Sequence, residues 1–271
     1  MSGTTVTTGA GPGAGPARTT AAGRTRALAR AELTLLGRSR ATLATAVLVP
    51  MVMPLMLRSN LGSMHLKGTG LTVGSVLLPS SIGFVLLFAV YGSLVSVYAA
   101  RREELVLKRL RTGELRDLEI LAGAALPSVA IGLTQCLILT VACRATLGIG
   151  MPERPELVLL GLLSAFVTWP ALAAVTASLS KSVEGAQIAA SPLTVVSLLG
   201  SGTFIPLELL PDGMAPFCEL LPLTPVITLL RGGWTGDLSA HDTVGALVTA
   251  VAWTVIAVFA VRRWFRWEPR R

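Results

Sequence analysis

Residues 204–233 read FIPLELLPDGMAPFCELLPLTPVITLLRGG, and whether this stretch crosses a membrane decides how the whole chain is threaded. It is apolar enough to suggest a crossing. A transmembrane helix, however, needs about 20 apolar residues to cover roughly 30 Å of hydrocarbon, with about 17 to 25 tolerated. Pro206, Pro211, Pro216, Pro222 and Pro225 cut the stretch into shorter pieces. The end of the chain gives a second argument. Arg262, Arg263, Arg266, Arg270 and Arg271 follow the last apolar run, and an extra crossing would leave all five outside, against the bias of Lys and Arg toward the cytoplasm. The stretch is therefore expected to form short helices that dip into the outer leaflet and return, a re-entrant hairpin over 208–233.

Six other segments are long and apolar enough to cross: about 41–57, 74–100, 120–143, 157–179, 186–207 and 243–261. The first, ATLATAVLVPMVMPLML, is short and carries Pro50 and Pro54, whereas the last three contain no charged residue. Pro79, Pro127, Pro170 and Pro192 fall inside spans, where neighbouring helices can satisfy the carbonyls that a proline frees, so kinked helices are expected. Composition agrees with a lipid solvent. Of the 271 residues 52% are hydrophobic and 14% charged, where a soluble domain carries about 25% charged residues, and the mean hydropathy is +0.68.

The formal charge of +8 would in a soluble protein suggest nucleic acid. Here the basic residues lie beside apolar runs, which is the pattern of membrane insertion, and no nucleic-acid partner is expected. With the N-terminus inside, eighteen of the 23 Lys and Arg residues fall on the cytoplasmic side, and Arg58, Lys67, Arg144, Arg154 and Arg231 fall outside. The expected fold is all-α: six spans, both termini cytoplasmic, multi-pass in the cell membrane. The first 23 residues are small and polar, with no apolar run beside a cleavage site, and are expected to be a disordered cytoplasmic tail. A single permeation domain follows over 24–262, and 263–271 forms a basic cytoplasmic tail.

Two cytoplasmic segments stand out. Residues 24–38 (RTRALARAELTLLGR) place Ala27, Leu28, Ala31 and Leu35 at helical spacing with Arg24, Arg30 and Arg38 available to headgroups, which suggests an interfacial helix; an ordinary basic flank is the alternative. The loop 101–116 begins RREELVLKRLRTGEL, where Glu104 and Lys108 form an i,i+4 pair and Leu107 with Leu110 makes a narrow apolar stripe. It has the form of a docking helix, although a solvated connector has the same composition.

Chemistry is sparse. No carboxylate lies within a span, which argues against a proton-coupled pump. His65 and His241 lie in outer loops without neighbouring metal ligands, and no hydrolase arrangement or phosphate-binding G-x-x-x-x-G-K-[ST] loop is present. Cys136 and Cys143 lie seven residues apart on one helix and cannot bridge each other; a Cys143–Cys218 disulfide is geometrically open, with free apolar thiols the alternative.

RREELVLKRLRTGEL with the following ILAGAALP, together with FIPLELLP through LLPLTPVITLLRGG, resembles the permease subunits of type 2 ATP-binding-cassette exporters, a group that includes bacterial drug-resistance and natural-product efflux systems. The order of interfacial helix, two spans, basic loop, three spans, re-entrant stretch and last span is similar to theirs across nearly the whole chain. The resemblance implies that the loop is a coupling helix. It would place Arg102, Glu103, Glu104, Lys108, Arg109, Arg111, Thr112 and Gly113 near a groove on a separate ATP-binding cassette subunit, which would carry the ATP and magnesium; this chain would hold no cofactor. Thr112-Gly113-Glu114 stands where a Thr-Pro or Ser-Pro often follows in the family, which leaves the end of that helix open. The resemblance further implies an outer gate built from Phe204, Pro206, Glu208, Pro222, Pro225 and Arg231, a second permease subunit that is identical or a paralogue, and a cargo that is amphipathic or hydrophobic. An ion-coupled secondary transporter and a non-transporting scaffold are the alternative readings.

Overall fold

The computed structural model describes residues 73–106, 117–203 and 213–265. Among them the regular elements are helical: α1 (Val73–Glu103), α2 (Asp117–Leu147), α3 (Pro155–Leu179), α4 (Val183–Gly200), α5 (Ala215–Glu219), α6 (Thr224–Thr235) and α7 (Ala240–Trp264). Five of these, α1 to α4 and α7, are long and apolar enough to cross a membrane. They correspond to the five expected spans from 74–100 onward. The expected span 41–57, the interfacial helix 24–38 and the tail 1–23 lie outside the described residues, as do 107–116, 204–212 and 266–271.

Local chemistry sets the helix ends. α3 opens on Pro155 and α6 carries Pro225 in its first turn, where a missing N–H costs nothing. Ser182 and Ser239 cap α4 and α7, their hydroxyls accepting from Gly185 N–H and Asp242 N–H at 3.1 Å. α6 ends at Gly236, whose φ of 74° is the left-handed conformation that favours glycine. Pro79, Pro127, Pro170 and Pro192 all sit inside continuous helices.

α1 departs from a plain α-helix. Its middle, Val85–Gly92, is an eight-residue π-helix, flanked by α-helical Val73–Phe84 and Ser93–Glu103. It is also the helix around which the others pack, and the most buried of the five long helices. The core joins Tyr91, Val95 and Tyr98 of α1 to Trp169, Leu172 and Ala173 of α3, with Leu121 and Leu139 of α2. Tyr91 and Trp169 meet edge to face, with ring centroids 5.4 Å apart. Close backbone approach is built with glycine. A Cβ at Gly132 of α2 would lie 2.6 Å from Val90 Cγ2, and one at Gly233 of α6 would lie 2.6 Å from Val158 Cγ2 and 3.1 Å from the backbone of Arg154 and Val158. Cys136, Cys143 and Cys218 are free and buried.

Candidate functional site

The two segments that carry the sequence argument adjoin opposite ends of α1, here called the basic end, with Arg102, and the far end. At the basic end, Tyr91, Val95, Tyr98 and Arg102 recur at spacings of four, three and four, so they share one helix face. All four are buried, Arg102 to 1% exposure. Tyr98 donates its hydroxyl hydrogen to Leu121 O of α2 at 3.0 Å. The Arg102 guanidinium donates to Ser180 O, the carbonyl just past the end of α3. Glu103, one residue on, is exposed and accepts the N–H of Val183 at 2.9 Å.

The electrostatics favour this interlock. Arg101 and Arg102 stand in the last turn of α1, where the helix dipole is negative. The Glu103 carboxylate meets the first turn of α4, where the dipole is positive and the first four N–H groups have no partner within the helix. Two bonds therefore tie the end of α1 to the turn that joins α3 to α4.

α1 stops there. The N–H of Glu104 bonds Ala100 O at 3.0 Å and that of Leu105 bonds Arg102 O at 3.1 Å. Leu105 has φ 58°, a left-handed conformation that costs a residue with a Cβ about 1–2 kcal/mol. The loop expected from 101 therefore starts later than the sequence spacing suggests. Arg101 to Glu103 complete the last turn of the span, and Glu104 and the left-handed Leu105 form the turn that ends it.

Three of the eight expected docking residues lie within the described residues. Arg102 is turned inward onto Ser180; Glu103 is exposed but engaged with Val183; Glu104 is exposed. Lys108, Arg109, Arg111, Thr112 and Gly113 lie outside the described residues. Of the expected gate residues, Phe204, Pro206 and Glu208 also lie outside them, while Pro222, Pro225 and Arg231 are buried on α6 and the turn before it. Arg231 donates to Gly202 O at 3.2 Å, joining α6 to the chain just past α4. α6 packs on α3, α7 and the first half of α1. α5 is held more loosely, with Phe217 75% exposed, but the turn that follows it is fixed by Trp253 of α7, whose indole N–H donates to Leu220 O at 2.7 Å.

Three participants escape a reading by motif: Ser180, Val183 and Gln187. The first two act through backbone atoms, which residue type does not reveal. Gln187 was legible as the one amide in the apolar run of α4; its side-chain NH2 donates to Gly92 O at 2.9 Å and to the Ser96 hydroxyl.

The family model described as ABC-2 type transporter matches residues 24–234, most of the chain. The chain belongs to the ABC-2 type transporter family. No curated protein matches it. As an ABC-2 family member it is a permease, the multi-pass membrane component of an ABC-type transporter, and the five apolar helices are the membrane part that this role requires. The family match begins at the expected interfacial segment and ends at the last turn of α6, so it takes in both the interlock at the basic end and the packed half of the far-end stretch.

Proposed function

We propose that this chain is the permease subunit of an ABC exporter that moves an amphipathic or hydrophobic compound across the cytoplasmic membrane, driven by ATP hydrolysis on a separate cassette subunit. The observation that carries the reading is the double tie of Arg102 to Ser180 O and Glu103 to Val183 N–H. A force applied to segment 101–116 acts on the end of α1 and, through those two bonds, on α3 and α4 together. A basic loop that merely connected two spans would need no such linkage.

In this scheme the cassette subunit grips the exposed part of the segment, Glu104 with Lys108, Arg109, Arg111, Thr112 and Gly113, while Arg102 and Glu103 transmit from within. Closure of two cassettes around ATP and magnesium favours one arrangement of the spans over the other, a population shift driven by differential affinity. Two permease subunits, identical or paralogous, enclose the path, with both termini of each in the cytoplasm. Phe204, Pro206, Glu208, Pro222, Pro225 and Arg231 form the outer gate, and α6 links that gate to α1. The absence of charged residues from the apolar middles of the spans, 74–100, 120–143, 157–179, 186–207 and 243–261, suits an amphipathic or hydrophobic cargo. Resistance to an exported antibiotic would be one biological outcome.

The test is charge reversal. Glu104→Lys with Arg109→Glu should leave the chain inserted at its normal level and reduce both the ATPase recovered with it and the cargo exported. Normal export by that variant would refute the docking scheme.

A further inference from the structure

The π-helix of α1 has no explanation in span length or apolar packing, since an α-helix would serve both. Most π-helical turns are single bulges, frequent at functional sites; this one runs through eight residues of the most buried span. Its near end is held from three sides. Tyr91 shares a hydrogen bond with Thr176 of α3 at 2.9 Å, Ser93 donates to the Ser128 hydroxyl of α2 at 3.0 Å, and Gln187 of α4 donates to Gly92 O and the Ser96 hydroxyl. Four residues before Gln187, Val183 bonds Glu103, so the last eleven residues of α1 are fastened alongside the start of α4.

The far half is anchored differently. Val73–Phe84 packs on α6 through shape: a Cβ at Gly83 would lie 3.0 Å from Ile227 Cδ1, 3.5 Å from Leu223 Cδ2 and 3.6 Å from the Thr203 hydroxyl oxygen. The π segment therefore joins a near half hydrogen-bonded to α2, α3 and α4 to a far half held by packing, on α6 and, through Val76, Leu77 and Phe84, against Leu147 of α2 and Leu198 of α4.

We propose that the Val85–Gly92 π segment is a rewinding joint and that Gln187 is the positioning residue that fixes its near end, so that a change of winding turns the far half of α1 against α6 rather than being lost at the basic end. A π-helix, bonded i to i+5, turns less per residue than an α-helix, which turns about 100°. Rewinding eight residues as α-helix with the near end fixed turns the far half by on the order of 100°, about one residue. The position that faces Thr203 then passes from Gly83 to Phe84. The joint rests on the reading of the chain as an ATP-driven permease, because it supplies the path from the cassettes to the outer gate.

The test uses the full chain with its ATPase in native membranes. Cysteine pairs Gly83→Cys with Thr203→Cys and Phe84→Cys with Thr203→Cys are oxidised with and without a non-hydrolysable ATP analogue, and cross-linked peptides are quantified by mass spectrometry. The first pair should cross-link without nucleotide and fall at least about threefold with the analogue, while the second rises. Each interhelical hydrogen bond shifts a membrane equilibrium by about threefold, so Gln187→Leu, which removes two, should weaken the anchor about tenfold and abolish the nucleotide response; Gln187→Asn should restore part of it. In the unmutated chain, amide exchange over Val85–Gly92 should change at least about threefold with the analogue, a readout that does not depend on the Gly83 variant folding. Flat yields and flat exchange while the ATPase binds the analogue overturn the joint alone, as does a response that survives Gln187→Leu. If no ATPase accompanies the chain, the permease reading fails and the joint falls with it.

Discussion

Gly233→Ala should destabilise this protein while Gly200→Ala should not, although both put a methyl group into a tight space. At Gly233 the new Cβ would meet Val158 Cγ2 at 2.6 Å and, more seriously, Arg154 O and Val158 N at 3.1 Å. Those last two are backbone atoms of the start of α3, so relief requires the two helices to separate. Separation also strains the bond from Arg154 N–H to Gly233 O, now 2.9 Å. Overpacking costs about 1–3 kcal/mol and the weakened bond about 1 kcal/mol, offset by about 1 kcal/mol of helix propensity. The net is a loss of about 2 kcal/mol. At Gly200 the methyl meets Leu221 Cδ1 at 2.5 Å, the far end of a flexible side chain that can turn aside, with Cys218 Sγ at 3.4 Å. There the propensity gain and the rotamer cost are of similar size. Thermal unfolding in detergent, followed by exposure of the buried Cys136, Cys143 and Cys218 thiols to a fluorogenic maleimide, reads the difference. At about 3 °C per kcal/mol for a chain of this size, Gly233→Ala should lower the midpoint by about 6 °C and Gly200→Ala should move it by less than about 2 °C. Equal midpoints for the two variants would refute the packing of α6 on α3.

Three further outcomes follow from the same contacts. Arg102→Ala removes a charge-assisted bond to Ser180 O and should cost about 2–3 kcal/mol in the same assay, whereas Glu104→Ala, on the surface, should stay within about 0.5 kcal/mol; a silent Arg102 variant would contradict the interlock. Ser182→Ala should lose about 1 kcal/mol by uncapping α4, and Ser182→Asp should recover it, because a carboxylate both caps and suits the positive end of the helix. Trp253→Phe keeps an aromatic side chain but removes the N–H that reaches Leu220 O, and should loosen the turn before α6 by about 1 kcal/mol, seen as faster proteolysis near Leu220.

The spans were legible because lipid imposes a length and an apolarity that few other contexts demand, and the described helices α1 to α4 and α7 fall on the expected segments within a few residues, apart from α4, which ends at Gly200 rather than 207. The pieces of the proline-rich stretch within the described residues, α5 and α6, were legible as separate short helices from Pro216, Pro222 and Pro225. The π segment was not. Val85–Gly92 reads VLLFAVYG, an unbroken apolar run, and such a run does not distinguish i+4 from i+5 bonding. The inward turn of Arg102 had a signal that residue class obscured. Grouping it with Arg101, Glu103 and Glu104 as loop charge hides that it continues the buried stripe of Tyr91, Val95 and Tyr98. The partners of the interlock, Ser180 O and Val183 N–H, are backbone atoms brought together by tertiary packing, which no local pattern encodes.

In the proposed scheme this ABC-2 permease is driven by a separate ATPase subunit held at segment 101–116. The direct measurement is purification of the full chain from its native membrane in mild detergent, with quantification of any ATP-hydrolysing subunit that comes with it, for the unmodified chain and for Glu104→Lys with Arg109→Glu. A near-stoichiometric Walker-type ATPase should accompany the unmodified chain, with at least a tenfold loss of it from the charge-reversed one, at equal membrane insertion. A chain that purifies alone, or keeps its ATPase after charge reversal, would contradict that scheme.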